Sequence, residues 1–293
     1  MFFHNQGLQF EAKPDGPDAA FAKKLQELIG GKWGEMTVAM QYLFQGWNCR
    51  LPGKYKDMLL DIGTEELAHV EMLSVMVARL LDAAPLSSKE AAADENPMLE
   101  AIFGGMNPQH VIHNGLGASP QDSVGNPWNG LFITSSGNLL ADFHLNATAE
   151  MQGRLQACRI YEMADDPGVR ELLSFLIARD HMHQMQWLKA IEEVEAEGLD
   201  KVPVPSAFPL DREQVPAAYQ YIHVSDGDAA GQGGWAGGRA RDGSDTEITF
   251  VDHPGPGTDS VVLSPPTDPR IYGTPPVPPP ADGLLGKAKD LLT

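Results

Sequence analysis

Apolar side chains recur every three to four residues along four stretches of this chain, and each stretch predicts a helix. The first runs from Pro17 through Phe21, Leu25, Leu28, Trp33, Met36, Met40, Leu43 and Phe44 to about Trp47, with Pro17 suited to a first helical turn. Gly30 and Gly31 interrupt it at a cost of about 1 kcal/mol each, which predicts a close helix contact or a local kink just before Glu35. A second helix is expected from Tyr55 to about Leu81, its apolar face carrying Met58, Leu59, Ile62, Leu73, Met76 and Leu80. The third follows Ser135 and Ser136 and runs through Leu139, Phe143, Met151, Leu155 and Ile160 to Met163. The fourth has the clearest start: Asp166 serves as N-cap, Pro167 as first helical residue, and Gly198 closes the helix.

Residues 84–136 are an irregular connection rich in proline and glycine, long enough to cross a bundle from end to end. Two helical pairs joined by such a crossover predict an all-α, ferritin-like four-helix bundle over residues 1–200. Beyond Leu199 the composition changes, with a glycine-rich run around 231–238 and ten prolines between Pro254 and Pro280. Residues 201–293 are therefore expected to form an extended C-terminal tail with little regular structure, spread over another surface. Trp235, Phe250 and Tyr272 offer it anchors. Within the tail, Thr246, Ile248 and Phe250 alternate as a short strand does, and Leu284 to Leu292 fit a short terminal helix.

Charge narrows the partners. Lys and Arg total 21 against 40 Asp and Glu, and the net charge of −19 repels nucleic acid and anionic membrane surfaces. No apolar run reaches the length of a membrane span, and the N-terminus lacks the basic segment and apolar core of a signal peptide. The two cysteines, Cys49 and Cys158, form no C-x-x-C pair, which reads as reduced thiols in a cytoplasmic protein.

The polar residues that fall on apolar faces carry the chemistry. Glu66-Leu-Ala-His69 and Asp180-His-Met-His183 are two acid-x-x-His steps, and a step of three residues on a helix turns about 300°, so each acid shares a face with its histidine. Glu35, upstream of the first step, sits with Gly31, Val38, Ala39 and Tyr42; Glu150, upstream of the second, sits with Asn146, Ala147, Gly153, Arg154 and Ala157. A single glutamate on a helix is usually solvated, and an isolated histidine is more often a satisfied core residue than a ligand. The joint pattern is what points to a carboxylate-bridged pair of metals inside a bundle. Glu65 and Glu71 are read as facing solvent. His181 points about 200° away from His183 and is read as a decoy. His4, His110, His113, His144, His223 and His253 belong to no metal-spaced set. Oxygen ligands with one imidazole per metal suit Mn or Fe, and the ligands alone do not separate the two.

Four stretches carry a family resemblance: Gly30-Gly31-Lys32-Trp33-Gly34-Glu35-Met36, Thr64-Glu65-Glu66-Leu67-Ala68-His69, Thr134-Ser135-Ser136-Gly137-Asn138-Leu139 and Arg159-Ile160-Tyr161-Glu162-Met163. Together they resemble the manganese catalase family. The resemblance implies two manganese ions per subunit, with Glu35 and His69 on one, Glu150 and His183 on the other, and Glu66 bridging them. It places Asp180 where some members have a glutamate that shuttles protons, and Tyr42 where a tyrosine steadies the first glutamate. The aspartate is one methylene shorter, so it is expected to reach the site through water. Ala149 stands where some members carry an arginine. The resemblance also implies a homohexamer with tails wrapped round neighbouring subunits. A calcium site is implied between subunits, formed by Asp57 and Asp61 of one chain with Ser225 and Gly227 of another, His223 replacing an asparagine. Asp57 and Asp61 lie near a helix start, where acids favour the helix dipole without any ion.

The leading expectation is a haem-free dimanganese catalase converting two molecules of hydrogen peroxide to water and dioxygen, with Glu66 and Asp180 as its catalytic carboxylates. A di-iron ferroxidase or peroxidase would use the same bundle with Asp180 as a metal ligand. A non-catalytic coat or assembly protein would use the tails.

Overall fold

The computed structural model describes residues 4–51, 53–84, 107–199, 214–240 and 245–252. The expected terminal helix at 284–292, His253, and parts of the crossover and tail lie outside the described residues. By its internal contacts the chain divides into two units, residues 1–207 and 208–293.

The first predicted helix is two. Helix α1, Ala19–Gly30, and helix α2, Glu35–Asn48, are separated by a break at residues 31–34. Asp18 rather than Pro17 starts α1: its carboxylate accepts from the Phe21 amide at 2.7 Å and leaves Pro17 outside the helix. The break follows from packing. A Cβ on Gly30 would lie 2.5 Å from the backbone of Gln121, so the crossover presses directly on the end of α1. Breaking here makes Glu35 the first residue of α2, where the exposed amides of a helix N-terminus favour a carboxylate.

Helix α3, Gly53–Leu81, matches the second expectation, and the described residues of the crossover contribute a short helix, α4, Pro108–Ile112, and a 3-10 turn at Gly130–Phe132. Helix α5, Leu139–Glu162, starts at Asn138, whose side chain accepts from the Ala141 amide. Helix α6, Pro167–Ala196, starts at Asp166 as predicted, and Gly198 ends it with φ +68°, a conformation suited to glycine.

Two apolar clusters fill the bundle. One contains Phe21, Leu25, Leu73, Met76, Leu80, Ile160, Leu172 and Leu176; the other contains Val38, Leu59, Ile62, Phe143, Trp187 and Ile191. Each long rod passes through both. The α1–α2 rod and α6 run from the first cluster to the second, whereas α3 and α5 run the opposite way. Helices α3 and α5 therefore point in the same direction, and only a connection spanning the bundle can join them, which explains the long crossover. Between the two apolar plugs every rod places acids or histidines: Glu35, Glu66 with His69, Glu150, and Asp180 with His183.

The second unit holds a short helix, α7, Val215–Ala218, and a three-stranded sheet in the order β1 (Gln220–His223), β3 (Glu247–Asp252), β2 (Gly238–Arg239). Strand β3 is parallel to β1 and antiparallel to β2. The alternation at Ile248 and Phe250 marked β3 correctly, while β1 and β2 are too short to register as a pattern.

Candidate metal centre

Six ionisable side chains occupy the layer between the apolar clusters, and all are buried: Glu35, Glu66, His69, Glu150, Asp180 and His183. Burying so many ionisable groups without a compensating charge is costly. Their geometry divides into two triads that share Glu66. Ligand atoms of Glu35, Glu66 and His69 lie within 4.8 Å of one another, and so do those of Glu66, Glu150 and His183. The Glu66 carboxylate faces both ways, with Oε2 2.6 Å from His69 Nδ1 and Oε1 2.7 Å from His183 Nδ1. The five residues expected to bind metal are thus together, and Glu66 is the one common to both triads.

Hydrogen bonding does not satisfy this cluster. Both oxygens of Glu66, both ring nitrogens of His69 and Nδ1 of His183 are buried without an aligned hydrogen-bond partner, despite their close approaches. Buried polar atoms are rarely left so. Hard oxygens and one imidazole in each triad fit a pair of Mn or Fe ions.

The electrostatics show the same demand for cations. Burial, reinforced by the Glu66 charge, pushes the Glu35 carboxyl up to about 7 and the Glu150 carboxyl up to about 8. Burial alone would raise Glu66 too, but the charges of His69 and His183 hold it below the ordinary carboxylate range. Burial opposes the imidazolium form of each histidine, and Glu66 overrides it, taking His69 well above its ordinary value and His183 up to about 10.

Asp180 belongs to neither triad. It is buried, its Oδ1 has no partner, and burial together with the charges of Glu35, Glu150 and Glu66 drives its carboxyl well above the ordinary range. On α5, Gly153 keeps space beside it, since a Cβ there would lie 3.7 Å from Asp180 Oδ2 and 3.3 Å from the Trp33 carbonyl.

Two expectations need correction. Tyr42 does not steady the first glutamate; its hydroxyl donates to Glu150 Oε1 at 2.6 Å, and Trp187 Nε1 donates to the same oxygen at 3.3 Å. Its position seven residues after Glu35 put it on that face of α2, but a tyrosine is long enough to cross to α5. Glu65 does not face solvent. It is half-buried, takes two hydrogen bonds from the Arg179 guanidinium at 2.6 and 3.0 Å, and accepts from His183 Nε2 at 3.1 Å. The available signal was an acid next to Glu66 and a base next to Asp180, on neighbouring helices.

The other histidines described in the first unit stay outside the cluster. His181 is exposed and accepts from Arg154, His110 bonds Gln26, and His4 pairs with Glu71. Asp57 and Asp61 are exposed one turn apart on α3, and Ser225 and Gly227 are exposed in the second unit. Ala149 is buried among the apolar residues around Phe143 and Trp187. Cys49 and Cys158 are free thiols.

Comparison with known proteins places the chain among relatives. A family model described as manganese containing catalase matches residues 1–279. A manganese catalase of Bacillus subtilis is 55% identical over 243 residues, which span 83% of this chain and 88% of that protein. A manganese catalase of Lactiplantibacillus plantarum is 42% identical over 276 residues, spanning 93% and 98%. The crystal structure of KatB, a manganese catalase from Anabaena, shares the fold with a TM-score of 0.63 at 24% identity, covering 87% of this chain and all of that one.

Proposed function

The chain belongs to the manganese-containing catalase family, which disproportionates hydrogen peroxide to water and dioxygen, and from that premise we propose which of its residues hold the dimanganese centre and serve it. Glu35 and His69 would hold one ion and Glu150 and His183 the other, with Glu66 the carboxylate common to both sets. The observation that carries this assignment is the Glu66 carboxylate, its two oxygens buried without aligned partners and each set against a different imidazole.

When bound, the manganese pair supplies the redox chemistry, accepting two electrons from one peroxide molecule and donating two to another, so that two H2O2 become two H2O and one O2. The protein supplies position and protons. Tyr42 and Trp187 both donate to Glu150 Oε1, which fixes the orientation of that carboxylate beside His183. Asp180 is the proton carrier: its partnerless Oδ1 is held among Glu35, Glu150 and Glu66, where a peroxide proton can be taken up and returned. The apolar plugs on either side keep bulk water from the layer.

Metal analysis of natively purified protein, paired with an oxygen electrode, tests the assignment. Two manganese per subunit with oxygen evolution is the expected result; iron without oxygen evolution would favour the ferroxidase reading. Asp180→Ala is expected to retain both ions and slow turnover by roughly a hundredfold, within the usual range for losing a proton-transfer group. Full oxygen evolution by that variant would remove Asp180 from the mechanism.

The assembly is a homohexamer in which residues 201–293 of each chain wrap a neighbour, and calcium is held between subunits by Asp57 and Asp61 with Ser225 and Gly227. The support is the exposed apolar stripe of Met151, Leu155, Met182, Met185 and Leu188 on α5 and α6, together with the exposure of all four calcium candidates. Native mass measurement with and without a calcium chelator tests both, a hexamer weakened by chelation being expected. No helix among the described residues is long and apolar enough to cross a membrane, and the free thiols and acidic charge support a cytoplasmic protein that binds neither membrane nor nucleic acid.

A further inference from the structure

Glu65 and Glu66 are neighbours on α3, about 100° apart around the helix, and between them they bracket the two imidazoles. Glu66 meets the inner edge of each ring at Nδ1, at 2.6 Å for His69 and 2.7 Å for His183. Glu65 lies at the outer edge: its Oε2 is 3.1 Å from His183 Nε2 and its Oε1 is 3.7 Å from His69 Nε2. The rings themselves are stacked, with centroids 5.8 Å apart and planes 20° from parallel. The contact to His183 Nε2 is a hydrogen bond and requires a hydrogen on that nitrogen, which leaves the His183 Nδ1 lone pair facing the metal layer; His69 Nε2 lies beyond hydrogen-bond reach.

The Glu65 carboxylate is itself held by two further residues, Arg179 and Gln9. Arg179 of α6 donates to it through Nε at 2.6 Å and Nη2 at 3.0 Å, a fork that fixes the plane of the carboxylate as well as its charge. Gln9, in the segment preceding α1, donates to Oε1 at 2.8 Å. Beside Gln9, Phe10 stacks on Phe175 with centroids 4.6 Å apart, and Phe175 meets the His69 ring edge-on at 6.5 Å. The N-terminal segment thereby closes the outer side of the histidine pair.

We propose that Glu65, clamped by Arg179 and Gln9, is the positioning residue for His183, accepting from its Nε2 so that Nδ1 is presented to the metal pair, with the His69 ring held in place by its stacking on His183. This rests on the dimanganese assignment above. Glu65 does not touch the reacting atoms; it acts through the His183 imidazole, and partners of this kind commonly change metal affinity by roughly 10–100-fold.

The test compares wild type and Glu65→Gln, each loaded with Mn2+, for manganese per subunit, the rate of manganese release to EDTA, and the electron paramagnetic resonance spectrum of the metal pair. The expected result is release faster by roughly 10–100-fold with an altered spectrum, while the metal-free variant melts at the wild-type temperature. Arg179→Lys, which keeps the charge and loses the fork, is expected to speed release by a smaller factor, and it carries the test if the Glu65 variant does not fold. Wild-type release rates and spectra in the variants would overturn the proposal. Wild-type protein that binds no manganese would instead overturn the dimanganese assignment, whatever the variants do.

Discussion

Glu66→Ala is expected to fold yet fail to hold two manganese ions as a pair, and oxygen evolution from peroxide should fall by more than the roughly hundredfold that loss of a supporting partner alone produces. Glu66 is the only residue common to the two triads, and each of its oxygens faces a different histidine. Removing it leaves Glu35 with His69 and Glu150 with His183 as separate two-residue sets. Neither has the ligand count of a tight site, and nothing holds two ions at a fixed separation. Folding should survive, because the apolar clusters on both sides are untouched and the substitution also removes the most deeply buried carboxylate. Manganese per subunit and oxygen evolution are the measurements. A variant that keeps two ions and wild-type turnover would show that the bridge lies elsewhere. Glu66→Gln, nearly the same shape with only one good ligand oxygen, should lose the pair as well, which separates loss of the bridge from a cavity effect.

The ligands were legible because helical periodicity turns a spacing into a shared face. Glu66 and His69, or Asp180 and His183, are fixed relative to each other within one helix, so the sequence alone predicts that they point together. What lies across a helix–helix contact is not encoded in that way. Tyr42 was placed on the Glu35 face of α2 correctly, yet its hydroxyl reaches Glu150 on α5, and the offset between those two helices is set by core packing that no spacing reveals. Glu65 differs for the same reason: viewed on α3 alone it turns away from the metal face, and Arg179 and His183 on α6 and Gln9 from the N-terminal segment cover it. Even the error at residues 17–47 has this origin. The glycine pair announced an interruption, but the break extends to Gly34 because Gln121 of the crossover crowds Gly30, a contact 91 residues away in sequence.

Metal-free protein is expected to lose stability as pH rises from about 5 to about 9, and manganese should largely abolish that dependence. The sign follows from which state binds more protons. Burial and the Glu66 charge raise Glu35 from 4.5 to about 7 and Glu150 from 4.5 to about 8, so across that window the folded state keeps protons that the unfolded chain has released. Stability therefore falls as pH climbs through it. Asp180, raised by burial and by the acids around it, acts in the same direction. His183, carried from 6.5 to about 10 by Glu66 against the effect of burial, contributes stability that is complete below 6.5 and lost on the way to 10. Glu66 has the opposite sign, but its contribution disappears only as pH falls below 4.5, outside the window. The buried carboxyls together represent on the order of 5 kcal/mol, or on the order of 10 °C in melting temperature for a bundle of this size. Bound manganese displaces these protons and supplies the missing charge, so the loaded protein should melt higher, with the largest difference at the alkaline end. Calorimetric melts of chelated and loaded protein at several pH values make the comparison. If the chelated protein melted at the same temperature from pH 5 to 9, or higher with rising pH, the buried acids would not be carrying protons in place of metal, and the assignment of this layer as a cation site would lose its electrostatic basis.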